Sequence, residues 1–146
     1  MDRPPTSRLE QRLIAEAAAA HPLECCGLLL GRANAVAAVV PCRNVHPSPE
    51  RHFEIDPVAL IAAHREARTG GLEIIGYYHS HPSCRAEPSV LDAAQAGGDG
   101  KLWAIVAGGV VTWWRDGEGT AKAGRFAPSE PPRTYGSDLS PERSLP

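Results

Sequence analysis

Leu9, Leu13 and Ile14 recur at helical spacing and lead into the run Ala17–Ala20, while Ser7 stands three residues before Glu10 in the arrangement of a capping box. This predicts a helix over 7–20, ended by His21-Pro22. Cys25–Gly31 and Ala35–Cys42 are unbroken apolar runs of strand length joined by Arg32-Ala33-Asn34, which reads as a hairpin. With no polar face, both strands should be covered on both sides. Arg51–Ile55 alternates polar and apolar residues and is predicted as a third strand; Asp56-Pro57 then supplies N-cap and N1 for a helix to about Arg68, closed by Gly70-Gly71. Leu72–Tyr78 predicts a strand, Ser89–Ala96 a short helix, and Lys101–Ala107, Val110–Arg115 and about Ala121–Phe126 three further strands between glycine-containing turns. Interleaving of this kind predicts an α/β fold, a single mixed sheet with helices packed on it.

The pattern fades at both ends. Residues 128–146 include five prolines and apolar residues without period, so Pro128–Pro146 is expected to be a disordered tail; residues 1–6 look similar, leaving a domain over 7–127. A chain of 146 residues can bury one sizeable core and not two. Fifteen Lys and Arg against 17 Asp and Glu give a net charge of −2, without the basic excess that binding to a phosphate backbone requires. Nucleic acid is therefore not expected as a partner. The apolar stretches are too short to span a membrane, and Met-Asp-Arg-Pro-Pro lacks the layout of a signal peptide. Four cysteines, two of them adjacent at 25 and 26, read as reduced thiols in a cytoplasmic protein. A homodimer is left open.

Chemistry concentrates in Gly76-Tyr77-Tyr78-His79-Ser80-His81-Pro82. In an extended chain His79 and His81 project to one face and Ser80 to the other, so two imidazoles converge at a strand end. Such a pair suits a zinc site, although two polar residues where a strand surfaces explain the spacing equally well. Further on, Ser89-Val90-Leu91-Asp92 opens the short helix, and a capping box accounts for Ser89 and Asp92 by itself. The same helix start nevertheless puts both on one side, where Asp92 could add an oxygen ligand and Ser89 could touch whatever fills the open position. Two His and one carboxylate leave that position free, the layout of a catalytic zinc. Cys84, three residues after His81, makes His79, His81 and Cys84 a rival ligand set.

His79-Ser80-His81-Pro82, six intervening residues, then Ser89-x-x-Asp92 resembles the signature of the JAMM (MPN+) zinc metalloproteases, and Glu24-Cys25-Cys26-Gly27-Leu28-Leu29-Leu30-Gly31 resembles their glutamate-bearing strand. The similarity spans roughly 9–115 and is nearest to the short bacterial branch, which trims ubiquitin-like sulfur-carrier proteins. It implies Zn2+ held by His79, His81 and Asp92. Glu24 would then hydrogen-bond the zinc water, take its proton and pass it to the leaving amine, with Ser89 helping to hold the developing oxyanion. It further implies a peptidase or isopeptidase acting after the C-terminal Gly-Gly of a small ubiquitin-like or sulfur-carrier protein, with loops 44–50 and 83–87 shaping the groove.

A non-catalytic scaffold of the same fold is the alternative, against which stands the survival of every ligand. A zinc base deaminase would need Pro-Cys-x-x-Cys, which does not occur. Cys25, Cys26 and Cys42 are expected as small core residues, Trp103, Trp113 and Trp114 as strand packing, and His21, His46, His52 and His64 as exposed.

Overall fold

The apolar run from Cys26 to Gly31 is hydrophobic on both sides because it lies inside a sheet covered on both faces. The computed structural model describes residues 6–82, 85–117 and 126–135. Its elements are helix α1 (Arg8–Ala20), strands β1 (Cys26–Arg32) and β2 (Ala35–Cys42), helix α2 (Pro57–Arg68), strand β3 (Glu73–Ser80), helix α3 (Val90–Gln95) and strands β4 (Leu102–Ala107), β5 (Val110–Asp116), β6 (Phe126–Pro128) and β7 (Arg133–Thr134). All strands join one sheet in the order β6-β5-β4-β3-β1-β2-β7. Pairing is parallel between β3 and β4 and between β2 and β7, and antiparallel elsewhere. The mixed α/β sheet matches the pattern-based expectation.

Alternation along β1 divides the core. Leu29 packs with Val36, Val39, Tyr78 and Val106 under Leu9 and Leu13 of α1. Cys26, Leu28 and Leu30 face the other way, with Phe53, Ala63 of α2, Ala93 of α3 and Trp103. Each fully buried leucine contributes about 1.5–3 kcal/mol relative to exposure. α1 begins at the anticipated capping box of Ser7 and Glu10, and α2 at the Asp56 cap followed by Pro57.

Three expectations change. Arg51–Ile55 is not a strand: Asn44 and Ile55 form an isolated bridge, and the alternation arises because Phe53 and Ile55 insert into the core from a loop. The boundary at 127/128 does not mark the end of the sheet. Pro128 belongs to β6, the Ser129 amide donates to the Trp113 carbonyl at 2.9 Å, and the Tyr135 amide to that of Val36 at 3.0 Å. Edge strands need few partners, which lets a proline-rich segment cover β2. Residues 136–146, 1–5 and most of the strand expected over 121–126 lie outside the described residues. His46 and His52 are half-buried against each other, with ring centroids 4.8 Å apart, while His21 and His64 are exposed. No helix among the described residues is long and apolar enough to cross a membrane.

Candidate metal centre

Register assembles the site. Cys26 pairs with His79 across the antiparallel β1–β3 ladder, and the pairing runs on past the strand end. The Ser80 amide donates to the Cys25 carbonyl at 3.1 Å, and the Cys25 amide donates to Ser80 Oγ at 2.8 Å. Residue 24 therefore falls opposite residue 81. Ser80 points away from the two histidines, as its parity requires.

His79 Nε2 and His81 Nε2 are 3.0 Å apart. Asp92 Oδ1 lies 3.1 Å from the first and Asp92 Oδ2 3.2 Å from the second. Donor atoms of a tetrahedral zinc site with bonds of ~2.0–2.1 Å are about 3.3 Å apart, so three groups already stand within a few tenths of that spacing. His81 Nδ1–H donates to the Arg85 carbonyl at 2.9 Å, which leaves Nε2 with its lone pair for a ligand. The His79 ring is wholly buried, stacked on Phe53 at 4.3 Å and edge-on to Trp103 at 5.6 Å. Its Nδ1 has no partner among the described residues. Such a donor set fits a divalent metal that accepts nitrogen and oxygen ligands.

Asp92 serves two masters. Its Oδ2 accepts the Ser89 amide at 2.8 Å while Ser89 Oγ accepts the Asp92 amide at 3.0 Å, so the capping box and the convergence on the histidines coexist. Burial opposes its charge, but hydrogen bonds from both imidazoles and from the Ser89 amide hold the carboxyl well below the usual carboxylate range. Burial lowers the pKa of His79. For His81 burial acts in the same direction, yet Asp92, the Arg85 carbonyl and Glu24 together raise it.

Glu24 is 6% exposed, and one of its carboxylate oxygens and a ring nitrogen from each of His79 and His81 all lie within 4.8 Å of one another. Burial pushes its carboxyl up to about 7; His81 works against this and Asp92 adds to it. A carboxyl near neutrality can both accept and return a proton. Between Glu24 and Asp92 as third ligand, the closer approach to both imidazoles favours Asp92. Ser89 lines the cleft of about 510 Å³ that opens on Glu24, His81 and Asp92. Cys84, the rival ligand, lies outside the described residues.

Residues without a sequence signal complete the site. Asn44 Nδ2 donates to the carbonyls of Glu24 at 3.0 Å, His52 at 2.9 Å and Pro49 at 3.4 Å, and its Oδ1 accepts the amides of His46 and Glu54 at 3.1 Å each. The Glu24 amide donates to the Pro49 carbonyl at 2.8 Å. One side chain thus ties loop 44–54 to the backbone of Glu24. In a single sequence, an asparagine in a polar loop signals only a turn.

A family described as prokaryotic homologs of the JAB domain matches residues 6–116. The chain is 33% identical over 106 residues to tail tip assembly protein K of Escherichia phage N15, covering 73% of this chain and 39% of that protein. It is 43% identical over 75 residues to a probable TtuB-protein conjugate cleaving protease of Thermus thermophilus, covering 51% and 50%. A Pyrococcus furiosus desampylase is 36% identical over 95 residues, covering 65% and 67%. The chain thus spans half or less of the length of the first two relatives. A solution structure of a protein from Desulfitobacterium hafniense superposes with TM-score 0.70 at 27% identity, covering 89% of each chain. A crystal structure of a JAB1/MPN domain protein from Archaeoglobus fulgidus superposes with TM-score 0.53 at 18% identity, covering 87% and 92%, a likeness of fold alone.

Proposed function

The chain belongs to the prokaryotic JAB domain family, and from that premise we propose that it is a zinc-dependent peptidase or isopeptidase cutting the amide after the C-terminal Gly-Gly of a small ubiquitin-like or sulfur-carrier protein. The observation that carries this reading is the meeting of His79, His81 and Asp92 donors at 3.0–3.2 Å beside a protonatable Glu24. Relatives named desampylase and TtuB-protein conjugate cleaving protease support the substrate class.

His79 Nε2, His81 Nε2 and an Asp92 oxygen would hold the metal. Zinc in that place supplies Lewis acidity, polarising the scissile carbonyl and lowering the pKa of water towards 7. Glu24 takes the proton of the attacking water on a carboxylate oxygen and returns it to the leaving nitrogen, a role its raised pKa suits. Ser89 keeps its Oγ–H for the carbonyl oxygen as charge grows there, since Oγ is used in the cap only as an acceptor. Free Cys25, Cys26 and Cys42 accord with a reducing, cytoplasmic setting.

Zinc-loaded protein incubated with a Gly-Gly-terminated carrier conjugate, read by intact mass, should release the carrier ending at the second glycine. About one zinc per chain should accompany that activity. Short peptides sharing only the last residues should be cut far less well, because the carrier body supplies binding. No release, or rapid digestion of casein, overturns the reading.

A further inference from the structure

Gln95 borders the reaction centre, and the chemistry proposed above leaves it unused. It lines the cleft of about 510 Å³ that opens on Glu24, His81 and Asp92, and also a second cavity of about 420 Å³ lined by Tyr77 and Trp103. Phe53 lines both as well, so Gln95 and Phe53 form the rim that the two cavities share.

Two ties hold Gln95 in place. It follows Asp92 by three residues in α3, which sets it about 4.5 Å further along the axis of the helix that brings Asp92 to the histidines. Its Nε2 donates to the Phe53 carbonyl at 2.8 Å, and the Phe53 ring is stacked on His79 at 4.3 Å. A carbonyl only accepts, so the carboxamide must turn its nitrogen to Phe53, and its orientation is fixed. Gln95 is exposed, and its Oε1 has no hydrogen-bond partner among the described residues.

A free, neutral acceptor is scarce in this cleft. Arg51 and Arg85 line it but only donate. Ser89 Oγ already accepts the Asp92 amide, and Glu24 and Asp92 are taken by the proton and the metal. Glu87 would lose the hydration of a full charge if a substrate covered it. A Gly-Gly tail, for its part, brings no side-chain donor. Its donors are main-chain N–H groups, and each one buried without an acceptor weakens binding.

We infer that Gln95 Oε1 accepts a main-chain N–H of the Gly-Gly tail, which makes Gln95 a substrate-binding residue that sets how far the tail enters. This rests on the hydrolysis proposed above. Anchored on α3 beside Asp92 and, through Phe53, on His79, the acceptor keeps a fixed offset from two metal donors. A tail hydrogen-bonded to it is thereby registered against the metal centre. No proton moves at Gln95, and no covalent bond forms or breaks there.

The test uses the zinc-loaded full chain and three ubiquitin-fold carriers ending in Gly-Gly and joined to the same amine. One is all amide; in the other two an ester oxygen replaces the N–H of one glycine or of the other. Intact mass reads the product cut after the second position. Gln95→Met keeps the length of the side chain and removes the carboxamide. It should lower kcat/KM on the all-amide carrier by about ten-fold, the scale of an N–H left buried without a partner, with wild-type zinc content and circular dichroism. On one of the two ester carriers the variant and the wild type should have equal kcat/KM, because the donor is gone. The wild type alone should cut that ester carrier several-fold less well than the all-amide one. An equal loss in the variant on all three carriers would mean that Gln95 acts by holding Phe53, and overturns the inference. A variant as active as wild type, or a wild type indifferent to both esters, overturns it too and leaves the hydrolase standing. If the wild type cuts none of the three, the proposed function itself fails.

Discussion

Replacing Glu24 by Gln removes a charge that the fold holds at a cost. An ordinary glutamate titrates at 4.5, whereas burial pushes Glu24 up to about 7. In that interval the native state keeps a proton that the unfolded chain has released, so the wild type loses stability as pH rises through 4.5 to 7. Gln bears no such penalty. The full shift corresponds to an upper bound of about 3 kcal/mol. One edge of the carboxyl meets the water of the cleft, and screening there leaves about 1–2 kcal/mol. Urea unfolding of EDTA-treated wild type and Glu24→Gln, compared at pH 4.5 and pH 8, should show matching stability at the lower pH. At the higher pH the variant should be more stable by that amount. Other titrating groups are common to both proteins and cancel in the difference. Zinc-loaded Glu24→Gln should keep its metal and lose ~10²–10⁴-fold in rate. A pH-independent offset, or a variant less stable at pH 8, would refute the assignment of a desolvated proton carrier.

Asp92→Asn should lower bound zinc per chain by metal analysis, because a neutral amide is a poor third ligand; full zinc retention would move the third ligand elsewhere, Cys84 included. Gly76→Ala should destabilise by about 3 kcal/mol, a fall in Tm of roughly 10 °C, since a Cβ there lands on the Leu102 carbonyl in the parallel β3–β4 pair. An unshifted melting curve would show that the two strands can part without cost. Removing residues 128–146 should cost about 2 kcal/mol in urea unfolding, through the lost Ser129 and Tyr135 amide bonds and the uncovered edge of β2. No change would mean that β7 adds nothing to the fold.

Elements with a continuous apolar period are legible in the sequence itself. The capping box of Ser7 and Glu10, the Asp56-Pro57 helix start and the unbroken strand from Cys26 all carry their cause in local spacing. The histidine pair was legible for the same reason, because parity in a strand is local. Arg51–Ile55 misled because alternation reports which side chains are buried and not what the backbone pairs with; Phe53 and Ile55 are buried from a loop. Ordering of 128–135 was invisible because its cause is the open edge of β2, nearly a hundred residues away in sequence.

Glu24 shows most plainly what a sequence withholds. Its place depends on register, and a slip of one residue between β1 and β3 would send its side chain to the face covered by α1. A strand that is apolar on both sides does not pin register by pattern. The pins are the paired hydrogen bonds between Cys25 and Ser80 and the Asn44 side chain, which holds the Glu24 carbonyl and the loop facing it. Asn44→Ala removes those ties without touching a metal donor. Lost hydrogen bonds alone predict a destabilisation of about 1–3 kcal/mol. If Asn44 positions Glu24, the larger consequence falls on kcat, measured where the variant is still folded by circular dichroism, with zinc content and KM near wild type. Misplacing a reacting group by about 1 Å can cost ~10²-fold in rate. A kcat that falls only in step with the unfolded fraction would make Asn44 a structural residue and nothing more.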